Sequence, residues 1–154
     1  MEGSVVSLGP ADLAELRQLV DRYADAVDRR DGAALVDLFD TGGTVTVQAD
    51  GGPVEASWTG AGVADLLHSL AGYPMTFHHV GGAVFEGEGE AAVGRVSCLA
   101  HHYQRTESGP VDLVMAVRYH DRYRRRSAGW RMSERRVAVQ WTELHPAHPA
   151  RRRS

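Results

Sequence analysis

The sequence predicts an α+β domain: a cone-shaped barrel with N-terminal helices packed on a strongly curved, mixed or antiparallel sheet. Three observations predict it. Apolar residues recur at helical spacing near the N-terminus, and after Gly72 four long segments rich in β-branched and aromatic residues follow. Short turn signals separate those segments, and helices followed by a meander of strands is the α+β pattern. At 154 residues the chain has the size of one domain with one core.

Residues 1–9 read as a flexible arm. Pro10 opens the first helix, and Leu13, Leu16, Val20, Tyr23 and Val27 recur at three- and four-residue steps along one buried stripe. Asp31-Gly32 breaks this helix, and Asp31 can cap a short second one that runs to Phe39. Thr44 to Gln48 reads as a strand, with a hairpin turn at Asp50-Gly51-Gly52 into Val54 to Trp58. Gly60 to Leu70 reads as a third helix with Val63, Leu66, Leu67 and Leu70 inward. The long strands fall at about 75–86, 91–105, 111–124 and 129–142. Residues 10–143 form the domain, and 144–154, with two prolines and three arginines, read as a disordered basic tail. Strands this long must curl when helices cover one face. Curling leaves a hollow, the usual place for a small ligand.

Composition narrows the chemistry. The net charge is −3, which argues against a nucleic-acid partner. No apolar run approaches the roughly 20 residues of a membrane span, so no membrane partner is expected. No segment reads as a signal peptide, and the lone Cys98 allows no internal disulfide; both fit a reducing cytoplasm. All 17 basic residues are Arg, which excludes a lysine Schiff base or lysine general base. No Gly-rich loop has phosphate-binding spacing, and no cofactor is expected. Asp, Glu, His, Tyr and Arg remain.

Asp28 ends the first helix at the border of its apolar stripe, where a carboxylate needs a partner. His78 and His79 are adjacent on a strand, so alternation turns one of them inward. His101 and His102 repeat this on the next strand. Alternation groups Thr76, His78, Val80 and Gly82 on one face. It groups Phe77, His79, Ala83 and Phe85 on the other, which the bulk of its phenylalanines expects to pack. The histidine spacing matches no standard metal motif, so no metal site is expected. An Asp that accepts from one imidazole nitrogen leaves the other as a base able to take a proton beside a carbonyl. Tyr23, Tyr119 and Arg135 are further polar candidates for substrate contact.

The run Tyr23-Ala24-Asp25-Ala26-Val27-Asp28-Arg29-Arg30-Asp31-Gly32, with Leu35-Val36-Asp37-Leu38-Phe39 after it, resembles the opening of SnoaL-like domains of the nuclear transport factor 2-like superfamily. Thr76-Phe77-His78-His79-Val80-Gly81-Gly82 resembles their third-strand signature, and Tyr123 to Ser133 their final hairpin. The resemblance spans about residues 10–142. In scytalone dehydratase, a member of the superfamily, the acid–base residues correspond to Asp28, His78 and His102. Val27 and Val47 stand where that enzyme has substrate-polarising tyrosines, and Tyr119 where it has an asparagine. Hexachlorocyclohexane dehydrochlorinase is similar at Asp28 and His78, its arginine corresponds to Arg135, and Tyr23 stands at its lysine.

The resemblance thus implies catalytic Asp28, His78 and His102 and substrate-binding Tyr23, Val47, Tyr119 and Arg135. It implies a cofactor-independent dehydratase, lyase or isomerase acting on a small hydrophobic carbonyl or polyketide-like metabolite. The alternatives are a non-catalytic binding or scaffold domain and an aldol-type cyclase. It also implies a homodimer or homotrimer assembled through the outer face of the sheet.

Overall fold

The computed structural model describes residues 7–151; most of the predicted arm, residues 1–6, and the tail residues 152–154 lie outside them. The order of elements is α1 (Pro10–Asp28), α2 (Gly32–Asp37), β1 (Phe39–Ala49), β2 (Val54–Thr59), a 3₁₀ helix (Gly60–Leu70), β3 (Met75–Glu88), β4 (Ala91–Thr106), β5 (Gly109–Arg126) and β6 (Gly129–Pro146). The strands form one mixed sheet in the order β2-β1-β6-β5-β4-β3. Only the β1–β6 pair is parallel.

The helical stripe of α1 buries Leu16, Leu19, Val20, Tyr23 and Val27 against the sheet. Leu13, predicted inward, is exposed instead. Beneath the helix the core continues through Val96, Tyr123, Trp130 and Met132. Burying each such large side chain contributes roughly 1.5–3 kcal/mol. Asp31 caps α2 as predicted, its side chain accepting from the Ala34 N–H at 3.0 Å. Phe39, predicted to end that helix, opens β1. The basic run at the β5–β6 turn ties elements together: Arg125 pairs with Asp12 of α1 at 2.7 Å, and Arg126 with Asp40 of β1.

Two departures from the sequence reading matter for the site. The first is a bulge in β3. Val80 pairs with Cys98 but Ala83 pairs with Val96, so three residues on β3 span two on β4. The extra residue at Gly81-Gly82 inverts the alternation. Thr76, His78 and Val80 face the concavity before it, and Ala83 and Phe85 pack against the core after it. Phe77, predicted to pack with Phe85, is 65% exposed on the other side. The second departure is at the C-terminus. β6 continues to Pro146, with Leu144, His145 and Pro146 opposite Leu113, Asp112 and Val111. The domain thus extends beyond the boundary predicted at 143. Pro146 closes the strand, where a missing N–H breaks no ladder.

Candidate active site

The hollow between sheet and helices is a cavity of about 370 Å³. Its wall is mostly apolar, with Val27, Val45, Val47, Leu66, Val117 and Val139 around it and Trp58 near the rim. Its polar lining side chains are those of His78, His102, Tyr23, Tyr119, Ser69 and the exposed Glu55, and among the described residues no arginine lines it.

The end of α1 meets the edge strand β3 at this cavity. His78 Nδ1 lies 2.7 Å from Asp28 Oδ1, and the backbone N–H of His78 donates to Asp28 Oδ2 at 2.9 Å. The Thr76 hydroxyl, two residues earlier on the same face of β3, donates to Asp28 Oδ1 at 2.9 Å. An ionised carboxylate only accepts, so in the neutral His78 ring Nδ1 carries the proton and Nε2 the lone pair. The side chains are 9% (His78) and 24% (Asp28) exposed. Burial pushes the Asp28 carboxyl up, but the hydrogen bonds from the His78 ring and backbone, with His78's charge and the Thr76 hydroxyl, outweigh it. The net position is below the ordinary carboxylate value. The pairing thus resolves the His78/His79 alternative in favour of His78.

His102 also faces inward, its ring 6.0 Å from that of His78. Its Nδ1 lies 3.1 Å from the Leu113 carbonyl, which fixes the proton on Nδ1 and leaves Nε2 as an acceptor in the neutral ring. Burial, aided by the neighbouring His78, holds its pKa below the ordinary imidazole value against the raising effect of hydrogen bonds to Leu113 and Ala100. A histidine with a lowered native pKa takes up a proton more readily when unfolded. The protein should therefore lose stability as pH falls through about 6.5 toward the lower native value, with no such loss above it. Urea unfolding across that range should show a smaller acid loss for His102→Phe; an identical slope would rule this out.

His101 points to the opposite face, with Nδ1 2.6 Å from Asp112 Oδ2, outside the cavity. Val47, Tyr23 and Tyr119 line the cavity, and the two tyrosines meet edge to face at 5.9 Å. Arg135, predicted to contact substrate, does not reach the cavity. It is fully buried, with Nε and Nη2 donating to Asp121 at 2.9 and 2.7 Å and the guanidinium stacked 4.2 Å from the Tyr23 ring and 4.0 Å from the Tyr119 ring. Tyr123 donates to the same carboxylate at 2.6 Å. Burial opposes the Arg135 charge, but Asp121 outweighs it and its pKa rises. Arg135 is thus the support behind the two tyrosines. The sequence reading missed Asp121 in this role and Thr76 beside Asp28. For Thr76 a signal existed, since alternation had put it on the face of His78. Among the described residues no three His, Cys, Asp or Glu side chains converge as a metal site, and no helix is long and apolar enough to cross a membrane.

The sequence pattern of the SnoaL-like domain matches residues 11–136. The chain belongs to the SnoaL-like domain family. No curated protein matches its sequence. Several solved structures are similar to it. Hexachlorocyclohexane dehydrochlorinase LinA-type3 from Novosphingobium barchaimii is 18% identical, with a TM-score of 0.77 over 91% of this chain and 96% of that one. The Kfla4162 protein from Kribbella flavida is 22% identical, with a TM-score of 0.77 over 86% and 93%. An NTF2-like protein with a cystatin-like fold from Novosphingobium aromaticivorans is 26% identical, with a TM-score of 0.65 over 84% and 82%. The structural neighbours therefore include an enzyme, and what they share with this chain is the α+β fold.

Proposed function

We propose that this SnoaL-like domain is a cofactor-independent acid–base enzyme, a lyase or isomerase, acting on a small, neutral, largely apolar carbonyl compound. The observation that carries the reading is the 2.7 Å contact between Asp28 and His78 Nδ1 at the wall of the cavity. Nε2 of His78 takes the proton from the carbon beside the carbonyl, and Asp28 stabilises the imidazolium that forms. Burial raises the Tyr23 phenol to about 12 and pushes Tyr119 well above its usual value, so both stay protonated and able to donate toward the carbonyl oxygen. His102, whose neutral ring presents Nε2 as an acceptor, accepts a hydrogen bond from a substrate hydroxyl, which replaces the role of acid or oxyanion partner expected for it. The proton that His78 takes up goes back to the substrate in an isomerisation or to the leaving group in an elimination. The apolar wall, with no arginine among its described lining residues and the exposed Glu55 among them, favours a neutral substrate. The LinA-type neighbour's name, a dehydrochlorinase, is consistent with elimination after proton abstraction. The same abstraction would also start an aldol-type cyclisation.

The test needs no knowledge of the natural substrate. Small cyclic and aryl ketones are incubated with the protein in D₂O, and exchange of their α-protons is followed by NMR. Exchange that requires His78 supports the reading. Binding of the ketones with no exchange above that of His78→Ala would favour a non-catalytic binding domain.

The reading includes self-association through the convex face, where Phe77, Leu99 and Trp141 are exposed. Trp141→Glu should lower the sedimenting mass to that of one chain. A wild-type protein that already sediments as a monomer would remove this part of the reading.

A further inference from the structure

Arg30 holds a backbone conformation that arginine disfavours. Its φ is +56°, the only positive φ at a non-glycine residue among those described. It closes α1, with the Arg30 N–H donating to the Val27 carbonyl at 3.1 Å and the Asp31 N–H to the Ala26 carbonyl at 2.9 Å. Glycine is the residue that suits such a helix end. The side chain shows what arginine adds. Nη1 donates to the Val27 carbonyl and to Thr76 Oγ1, both at 2.7 Å, and Nη2 donates to the Tyr73 carbonyl at 3.1 Å.

The contact with Thr76 has a direction. A guanidinium only donates, so it occupies a lone pair of the Thr76 oxygen and leaves the hydroxyl proton for Asp28 Oδ1. Asp28 then accepts from Thr76, from the His78 backbone and from His78 Nδ1. Along the path from Arg30 through Thr76, each hydrogen bond points toward the carboxylate. The opposite tautomer of His78 would set a lone pair against Asp28 Oδ1 at 2.7 Å.

We propose that Arg30 is a positioning residue for the His78 base, acting through Thr76 to hold Asp28 as a pure acceptor and so keep the His78 lone pair on Nε2. The proposal rests on the acid–base reading for its purpose, but not for its test. The alternative is that Arg30 only fastens the helix end, and Arg30→Gly separates the two, because glycine keeps the turn and removes the hydrogen bonds.

The measurement is the ring ¹⁵N spectrum of His78 at a pH where the imidazole is neutral. In the wild type the Nδ1–H form should dominate. In Arg30→Gly the ratio of Nδ1–H to Nε2–H should fall by about tenfold, the scale of one lost hydrogen bond to a charged group. Thr76→Val should give the same fall, and the double variant no more than either alone, because the two act in series. An unchanged ratio in Arg30→Gly overturns the proposal, as does a double variant whose fall is the product of the single ones. Should Arg30→Gly not fold, Thr76→Val decides: an unchanged ratio there breaks the chain at its middle. If the enzymatic reading itself fails, His78→Ala leaves proton exchange unaltered while the tautomer shift persists.

Discussion

Replacing His78 by alanine is expected to lower kcat/KM for proton abstraction by about 10²–10⁴-fold, the usual contribution of a positioned acid or base. The imidazole is the only wall group that combines a fixed tautomer with a carboxylate behind it. Its ring is largely buried but not part of a packed apolar layer, so the variant should fold. Asp28→Asn should approach the same loss for a different reason. The amide keeps the volume but brings an N–H toward three donors and can no longer stabilise an imidazolium. Because Asp28 is ionised well into the acid range, the Asp28→Asn defect should persist across neutral pH and not be rescued by raising it. Circular dichroism and steady-state rates on the best exchanging ketone check both variants. Unchanged rates in either one would end the dyad reading.

Asp121→Ala should be the most damaging single change outside the Asp28–His78 pair. It would leave the Arg135 guanidinium buried without its carboxylate, and Tyr123 without its acceptor. Breaking a buried ion pair from one side costs about 3–5 kcal/mol. For a domain of this size that corresponds to a loss in Tm of roughly 6–20 °C. Asp121→Leu combined with Arg135→Met should recover much of the loss, since an apolar pair of similar volume carries no orphaned charge. The recovered protein should still bind ligand less well, because Arg135 stacks on the two tyrosines that line the cavity. Thermal melts of the single and double variants check this; a melting point for Asp121→Ala equal to wild type would show the pair to be dispensable.

The fold was legible where local pattern and tertiary packing agree. The stripe Leu16-Val20-Tyr23-Val27 and the cap at Asp31 were readable because helical period and capping chemistry act over a few residues. Leu13 followed the period but is exposed, while Asp12 and Glu15 on either side of it hold Arg125 and Trp130. The end of β6 was not legible because His145 and Pro146 resemble a break, while their strand character comes from pairing with β5 across the sheet. At the site, alternation narrowed each histidine doublet to one inward residue without saying which. Resemblance pointed to His78, and the position of Asp28 against the β3 edge supplies the physical reason. Resemblance misled for Arg135. Its charge is cancelled by Asp121, which sits among alternating polar and apolar residues of β5 and carries no local sign of burial.

The Gly81-Gly82 bulge makes β3 a strand written in two phases. Ahead of it, even positions carry the polar message of Thr76 and His78. Behind it, odd positions carry the greasy message of Ala83 and Phe85. Both are delivered to the same side only because one residue is spent on changing phase. Deleting either glycine would keep every functional side chain in the chain and still turn one end of the strand inside out. The cheapest way to lose this site is therefore a shift in count, with no change in chemistry at all.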